Sequence, residues 1–323
     1  MNIITTRSTS IETCLNNKVD NSPRLEIIAS GEDNQIPTET FEETESFFNT
    51  LFHKETDSII STNLEAVLDQ NRTITHLNID NSSFDSLIGI SVYGGYRKTL
   101  AQTFKDSRSF GSLKFQLLDD LSTGATIASY LHFRTISESE GTISQDIKSA
   151  FVDKLTDSCA GWIDNGSAIK TVKLGKPIPV KVGPAVKGNF LGNNVVLSPL
   201  KFQAMRRRRY IIINSEDHIP QTIYCGFRDT MGELTGEEKV LHEYHLSIKV
   251  NTSTLLIENA TATSKWLPFN ECKSAETSVN ALIGSGFDSI SETVKLKLNN
   301  STGCLHLNDL LRSADHFIQY ITE

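Results

Sequence analysis

Two thiols at the start of predicted helices carry the clearest chemistry in the sequence. Cys272 closes the string Leu-Pro-Phe-Asn-Glu-Cys, and Cys304 opens the string Cys-Leu-His-Leu-Asn-Asp-Leu-Leu-Arg, in which His306 follows it two residues later. The positive end of a helix dipole favours an anion, so a thiol in the first turn is biased towards the thiolate, which binds metals and attacks electrophiles. We therefore expect Cys272, Cys304 and His306 to form one cluster of soft ligands.

A strand histidine completes this cluster. His242 shares the inward face of the strand Val240 to Val250 with Tyr244, whereas His245 points to the opposite face. Two thiolates with one or two imidazoles suit zinc, and iron or an iron-sulfur cluster is the soft-metal alternative. The sequence has no Cys-x-x-Cys pair. The predicted metal ligands are Cys272, Cys304, His306 and His242.

Other interpretations of the same residues stay open. Cys272 or Cys304 is a candidate catalytic nucleophile with His306 or His242 as its base, which would make the protein a hydrolase or an acyl-transfer enzyme. Alternatively, both cysteines are small buried hydrophobes and His306 packs at a helix start. A noncatalytic interaction protein is a further alternative. The sequence contains no serine nucleophile elbow, phosphate loop or dinucleotide fingerprint.

A run of four arginines, Arg206 to Arg209, is the second feature with chemical potential. Arg206 and Arg208, with Arg228, are candidates for binding an anionic ligand such as a phosphate or a carboxylate. Such a run is also typical of a solvated strand edge, where only alternate side chains reach one face. Asp309 and Arg312 are predicted to form a local ion pair.

The composition limits the functional classes. The chain has 323 residues and a formal net charge of -8, which argues against a nucleic-acid partner. It has no run of eighteen apolar residues and no apolar leader, so we expect a cytoplasmic protein without a membrane partner. Five cysteines indicate free thiols or ligands rather than a disulfide framework. A protein partner or a dimer stays possible.

The order of predicted elements indicates an α+β fold of two related units. Each unit is an antiparallel sheet packed by helices, and a helix and a Pro/Gly-rich arm join them. In the C-terminal unit four antiparallel strands precede two helices, the first of which covers Asn270 to Ile283. The predicted boundaries are a mobile tail at 1–23, an N-terminal unit at 24–135, the connection at 136–202 and the C-terminal unit at 203–323.

Two pairs of similar strings within the chain support two related units. Leu87-Ile88-Gly89 matches Leu282-Ile283-Gly284, and Gly111 to Gln116 matches Gly303 to Asn308. Ser112 and Lys114 then stand where the C-terminal copy has Cys304 and His306. The pattern predicts a degenerate duplication in which the N-terminal copy serves as scaffold.

Several further elements follow from periodicity. Strands are predicted at Arg24 to Ile28, Phe41 to His53 and Thr73 to Asp80. Ile143 to Trp162 has an apolar stripe typical of an amphipathic helix, on which Cys159 is predicted as a core thiol. Residues 167–200 contain repeated Pro and Gly, which favours an extended arm and a surface for a partner.

These strings together resemble a bacterial family known as domain of unknown function 2889. The resemblance is dense from about 203 to 320 and rests on Arg206 to Arg209, Phe227-Arg228-Asp229, Gly236-Glu237, His242-Glu243-Tyr244, the Cys272 string and the Cys304 string. A weaker likeness to the long members of that family covers Leu87 to Leu131 and Cys159-Ala160-Gly161-Trp162. The resemblance implies the site residues more than an activity. Leu305 departs from the family pattern, which tends to have Thr between the cysteine and the histidine.

The C-terminal unit is also distantly similar to iron-sulfur scaffold proteins. They share an antiparallel sheet, a cysteine that leads into a helix and a later Cys/His pair at a helix entrance. A third cysteine with their spacing is missing, and His242 would have to replace it. A likeness of topology is a weak argument for function.

Overall fold

The computed structural model describes residues 2–16, 24–38, 60–104, 111–131, 150, 152–174, 182–183, 198–215 and 221–317. The strands are β1 (Asn2–Asn16), β2 (Arg24–Thr38), β3 (Ile60–Leu68), β4 (Ile74–Ile79), β5 (Ser82–Ser83), β6 (Ala204–Ser215), β7 (Gln221–Gly232), β8 (Glu238–Val250) and β9 (Ile257–Trp266). The α-helices are α1 (Tyr96–Thr103), α2 (Leu113–Ile127), α3 (Ser167–Lys173), α4 (Ile290–Lys297) and α5 (Leu305–Asp315). A 3-10 helix covers Asn270–Leu282.

The α+β fold class is confirmed, but the strands form one sheet rather than one sheet for each unit. The nine strands are arranged in the order β5-β4-β3-β2-β1-β6-β7-β8-β9, and all neighbours are antiparallel. The pairing of β1 with β6 joins the two halves, because it satisfies the backbone groups that would otherwise lie at two sheet edges.

The N-terminal segment is the main correction to the predicted organisation. Residues 2–16, predicted as part of a mobile tail, form β1 in the middle of the sheet. Thr5, Thr9 and Thr13 are buried there beside Ile11. Threonine suits a strand, but its polarity hides the alternation of apolar and polar residues that usually reveals one.

Helices from both halves position the candidate site on one face of the sheet. The apolar side chains of α2 pack against β1, β2 and β3, whereas α5 contacts β7 and α4. Helix α2 also contacts α5 and β6. The middle of the sheet is therefore covered by a helix from each half.

The two halves share local details. Gly89 and Gly284 have φ angles of 83° and 82°. The Gly89 N–H donates to the Ile74 oxygen at 2.8 Å, and the Gly284 N–H donates to the Ile257 oxygen at the same distance. A register shift occurs at Val67/Leu68 in β3 and at Lys249/Val250 in β8. The duplication itself stays a prediction, which these correspondences support.

The connecting segment differs from the predicted helix at its described end. Residues 152–155 are helical, but Cys159 is extended and a 3-10 turn covers Ala160–Trp162. The earlier part of that predicted helix, the predicted strand at Phe41 to His53 and most of the Pro/Gly-rich arm lie outside the described residues. Among the helices that the structure describes, none is long and apolar enough to cross a membrane.

Candidate metal centre

Cys304 lies at the predicted position, directly before α5. It is the N-cap residue, with extended backbone angles of φ -119° and ψ 125°, and its carbonyl oxygen accepts the Asn308 N–H at 2.8 Å. The preceding Gly303 oxygen accepts the Ala160 N–H at 2.9 Å. This hydrogen bond connects the turn that contains Cys159 with the start of α5.

Cys272 lies in the first turn of the 3-10 helix Asn270–Leu282, as the sequence predicts, although the helix type differs. The sulfur atoms of Cys272 and Cys159 both lie beside Gly161. A Cβ atom built on Gly161 would lie 2.7 Å from the Cys272 Sγ and 3.9 Å from the Cys159 Sγ. Any side chain at Gly161 would therefore displace a sulfur. Three buried thiols from distant segments thus converge, and the predicted core thiol Cys159 is one of them.

Burial has a larger effect on the pKa of these thiols than their position at a helix start. It raises the pKa of Cys304 to about 12, although the backbone N–H groups of Leu307 and His306 lower it. Burial likewise raises the pKa of Cys272 and of Cys159. Burial therefore opposes the predicted bias towards the thiolate. Since an attacking cysteine must be a thiolate, this finding disfavours the nucleophile interpretation.

His306 forms a hydrogen bond with Arg207, which also binds Asp229. Arg207 binds both carboxylate oxygens of Asp229, from Nε at 2.6 Å and from Nη2 at 2.7 Å. The same Nη2 lies 2.7 Å from His306 Nδ1. A guanidinium only donates, so His306 Nδ1 must be the acceptor and the proton of the neutral ring lies on Nε2. Burial, His242 and Arg207 lower the pKa of His306 well below its ordinary value, which keeps the ring neutral.

His242 has the opposite arrangement. Its Nδ1 lies 3.3 Å from Asp229 Oδ2, without the geometry of a regular hydrogen bond. Because a carboxylate only accepts, this contact favours the proton on Nδ1 and leaves Nε2 with its lone pair. Nε2 lies 3.4 Å from the Tyr130 hydroxyl. The His242 and His306 rings stack with centroids 4.1 Å apart, and burial lowers the pKa of His242.

Tyr130 and Tyr244 connect the imidazoles with the thiols. The Tyr244 hydroxyl donates to the Cys272 oxygen at 3.0 Å and is in hydrogen-bonding contact with the Cys304 thiol. The Tyr130 hydroxyl, beside His242, interacts electrostatically with Cys272, Cys159 and Cys304. Both hydroxyl groups are thus enclosed with the three sulfurs.

A second group of possible ligands lies beside the thiols. Within the part of the chain that the structure describes, the only three ligand atoms that lie within 4.8 Å of one another belong to Asp229, His242 and His306. However, Arg207 already occupies both Asp229 oxygens and His306 Nδ1. A cation between these atoms would meet a guanidinium, so the group is better suited to orienting His242 than to binding a metal.

Asp309 joins this centre to the N-terminal half. Its Oδ2 accepts from Arg207 at 3.0 Å and from Arg209 at 3.2 Å, and it also binds Arg97 of α1 and the Thr123 hydroxyl of α2. Burial alone would raise its pKa, but the arginines hold it below the usual range. The predicted pair with Arg312 is absent among the described contacts, because Arg97 and the strand arginines bind Asp309 instead.

The arginine run lies in a central strand rather than at a solvated edge, and all four side chains are buried. Of the three anion-site candidates, Arg206 pairs with Glu12 at 2.9 Å and with Glu238, and Arg228 binds both Glu243 oxygens. Burial lowers the pKa of Arg208 to about 10. Whether these residues bind an external anion stays a prediction.

Several residues of the centre are not among the site residues that the sequence predicts. Asp229 and Arg207 are strand residues whose pairing depends on the register of β6 and β7. Tyr130 comes from the end of the α2 segment. All of them, with Cys159, lie within the strings that carry the family resemblance, but those strings do not show which residues meet.

The comparisons with known proteins concern the C-terminal part of the chain. No curated protein matches the chain. The likeness to iron-sulfur scaffold proteins and the bacterial origin stay predictions. The model of the family described as "Protein of unknown function (DUF2889)" matches residues 205–319, which include His242, Cys272, Cys304 and His306. This match covers nearly the same residues as the dense sequence resemblance, from about 203 to 320.

Proposed function

We propose that this protein is a cytoplasmic metal-binding protein whose centre holds zinc or iron through Cys272 and Cys304, with Cys159 as a third thiol and His242 as the imidazole ligand. The observation that carries the proposal is the convergence of three buried thiols from separate segments. Burying several thiols together gives no special packing benefit, whereas a soft cation stabilises them as thiolates.

The two histidines are not equivalent for a metal. A ligand histidine usually presents one nitrogen to the metal and donates the other N–H to a carboxylate. His242 fits this arrangement, because Nδ1 faces Asp229 and Nε2 faces Tyr130. His306 does not, because Arg207 donates to its Nδ1. Of the predicted ligands, His306 is therefore better explained as support for Arg207 and His242.

The spacing of the thiols bears on the kind of metal centre. A tetrahedral zinc site with Zn–S bonds of about 2.3 Å needs sulfurs about 3.8 Å apart. The three thiols do not form a group within 4.8 Å in the described part of the chain, so a zinc ion would require their side chains to rotate inwards. An iron-sulfur cluster spans a wider set of sulfurs and is favoured by this spacing.

Metal analysis of protein purified without oxygen tests the proposal. We expect iron with acid-labile sulfide, or zinc, in stoichiometric amount, measured by elemental analysis and by thiolate-to-metal absorption. Cys159→Ser, Cys272→Ser and Cys304→Ser should each lose most of the metal. Cys225→Ser is the matched control, since Cys225 is a buried thiol whose pKa is affected by burial and by Arg209 but by none of the three clustered cysteines. Protein that stays metal-free after reconstitution with zinc, or with iron and sulfide, would refute the proposal.

The metal content of two histidine variants tests the separate roles of His242 and His306. His242→Ala should reduce the metal content, whereas His306→Ala should retain it if the protein folds. The reverse result would restore the ligand set with His306 and overturn the role that we assign to His242.

A further inference from the structure

A basic cleft lies between α1, α2, α4 and α5, apart from the thiol cluster. Its volume is about 550 Å³, within the range of about 300–1,000 Å³ that is typical of small-molecule sites. Four cationic side chains line it, namely Arg97, Lys98, Lys295 and Arg312, against the single carboxylate of Asp119. The chain as a whole has a formal charge of -8, whereas the charged side chains that line this cleft are mainly cationic.

Most of this positive charge has no counterion. Arg97 pairs with Asp119 at 2.7 Å and with Asp309. In the described part of the chain, none of the ion pairs includes Lys98, Lys295 or Arg312. Arg312 is half-buried, and burial together with the neighbouring Arg97 lowers its pKa. Arg97 and Arg312 repel each other in the half-buried part of the cleft, although Asp309 and Asp119 partly offset this, and Lys98 and Lys295 are exposed at its edge. A bound anion would relieve the remaining repulsion.

The start of α1 opens into the same cleft. Its N-cap is Gly95, which offers no side-chain cap, and its first turn contains no acidic residue. Gly94 and Gly95 have φ angles of 54° and 95°, and no heavy atom lies within 4 Å of the position that a Cβ would take on either. The backbone before α1 is therefore open to a ligand, and of the first-turn N–H groups that of Lys98 already donates to the Gly95 oxygen at 3.0 Å. An anion from outside would supply the negative charge that this helix end lacks.

A smaller cavity of about 90 Å³ adjoins the cleft and shares Arg97, Ser122 and Arg312 with it. It adds the hydroxyl groups of Thr123 and Thr126. The Asp309 carboxylate also lines this cavity, and the two hydroxyl groups already donate to Asp309 and to the Ser122 oxygen, so an external anion fits the larger cleft rather than this smaller cavity. At the outer part of the cleft, Tyr93 is 43% exposed and presents an aromatic side chain.

We propose that this cleft binds a small phosphorylated molecule, with its dianionic phosphate group held by Arg312, Lys98, Lys295 and the first-turn N–H groups of α1. Three unpaired cations exceed the charge of one carboxylate, which favours a dianion. Phosphate also offers several acceptor oxygens to such a set of donors. The exposed Tyr93 provides a surface for the organic part. None of the proposed metal ligands lines this cleft.

Calorimetric titration of the full chain tests the proposal, with inorganic phosphate and phenyl phosphate as probes at constant ionic strength. Both should bind saturably, and phenyl phosphate should bind more tightly because its ring contacts Tyr93. Arg312→Ala and Lys295→Ala should each weaken binding by about tenfold, the equivalent of one charge-assisted hydrogen bond. Lys249→Ala removes an exposed lysine that does not line the cleft and should change nothing.

Three results would overturn the phosphate site. The first is the absence of saturable binding of either probe to the wild type. The second is unchanged affinity in both Arg312→Ala and Lys295→Ala. The third is acetate binding as tightly as phosphate, which would assign the cleft to carboxylates. Lys295 is exposed, so its variant should fold even if the loss of Arg312 disturbs α5.

Discussion

The strand pairs β1–β2 and β6–β7 each contain one bidentate arginine–aspartate pair with the same geometry. Arg7 binds Asp33 at 2.6 and 2.7 Å, and Arg207 binds Asp229 at 2.6 and 2.7 Å. In both pairs the two residues lie opposite each other across neighbouring strands. The two halves of the sheet therefore carry the same buried ion pair.

The surroundings of the two pairs differ. Opposite Asp33 on the next strand lies Ile60, whereas opposite Asp229 lies His242. Ser112 caps α2 by accepting the Phe115 N–H at 3.2 Å, whereas the equivalent position before α5 is Cys304, which makes no side-chain cap. In the N-terminal half these positions thus hold a half-exposed isoleucine and a helix cap. The two halves therefore share a buried ion pair but differ in the residues around it, and the soft ligands are concentrated in the C-terminal half.

The largest expected effect comes from Asp309, whose position directly after the matched strings corresponds to Leu117 of α2. Asp309→Ala leaves Arg97, Arg207 and Arg209 without their shared carboxylate, and should lower the free energy of unfolding by about 3–5 kcal/mol. Asp33→Ala deprives only Arg7 of its partner and should cost less. Denaturant unfolding of both variants measures the difference. An equal or larger loss in Asp33→Ala would show that the two halves contribute alike.

The pH dependence of stability should come mainly from the C-terminal half. Burial lowers the pKa of His242 and His306, and it lowers that of His316 to about 4. The folded protein keeps these rings neutral, while the unfolded chain takes up protons below about pH 6.5. Stability should therefore be fully present above that pH and fall as the pH drops towards the folded pKa, by about 1.4 kcal/mol for each unit of pKa shift.

Urea unfolding of the metal-free protein at pH 7 and pH 5 checks this dependence. The double variant His242→Gln and His306→Gln should flatten the change between these two pH values. If the double variant retains the full wild-type slope, the histidines of the C-terminal half are not its source.

The smallest effects concern the two helix starts. Ser112→Ala removes a cap and should cost about 1 kcal/mol, measured by denaturant unfolding. Cys304→Ser gives α5 the cap residue that α2 already has, so metal-free protein should change by less than about 1 kcal/mol while metal binding is lost. A large loss of stability in metal-free Cys304→Ser would mean that Cys304 is chiefly a packing residue.

Local patterns in the sequence are sufficient for part of this molecule. The strand of His242, the helix start at Cys304 and the position of Cys272 depend on side-chain alternation and turn residues near each site, and the structure has them where the sequence predicts. The α+β class follows for the same reason. The family resemblance at the C-terminal half depends on the same strings.

The remaining features depend on contacts between residues far apart in the chain. The central place of β1 is decided by its pairing with β6, and the burial of the arginine run follows from that pairing. Cys159 joins the other thiols because one backbone hydrogen bond fastens its turn to Gly303. The raised thiol pKa and the separate roles of His242 and His306 depend on burial and on Arg207. Such properties arise from the tertiary structure, because neither burial nor a distant partner is encoded in the residues next to each site.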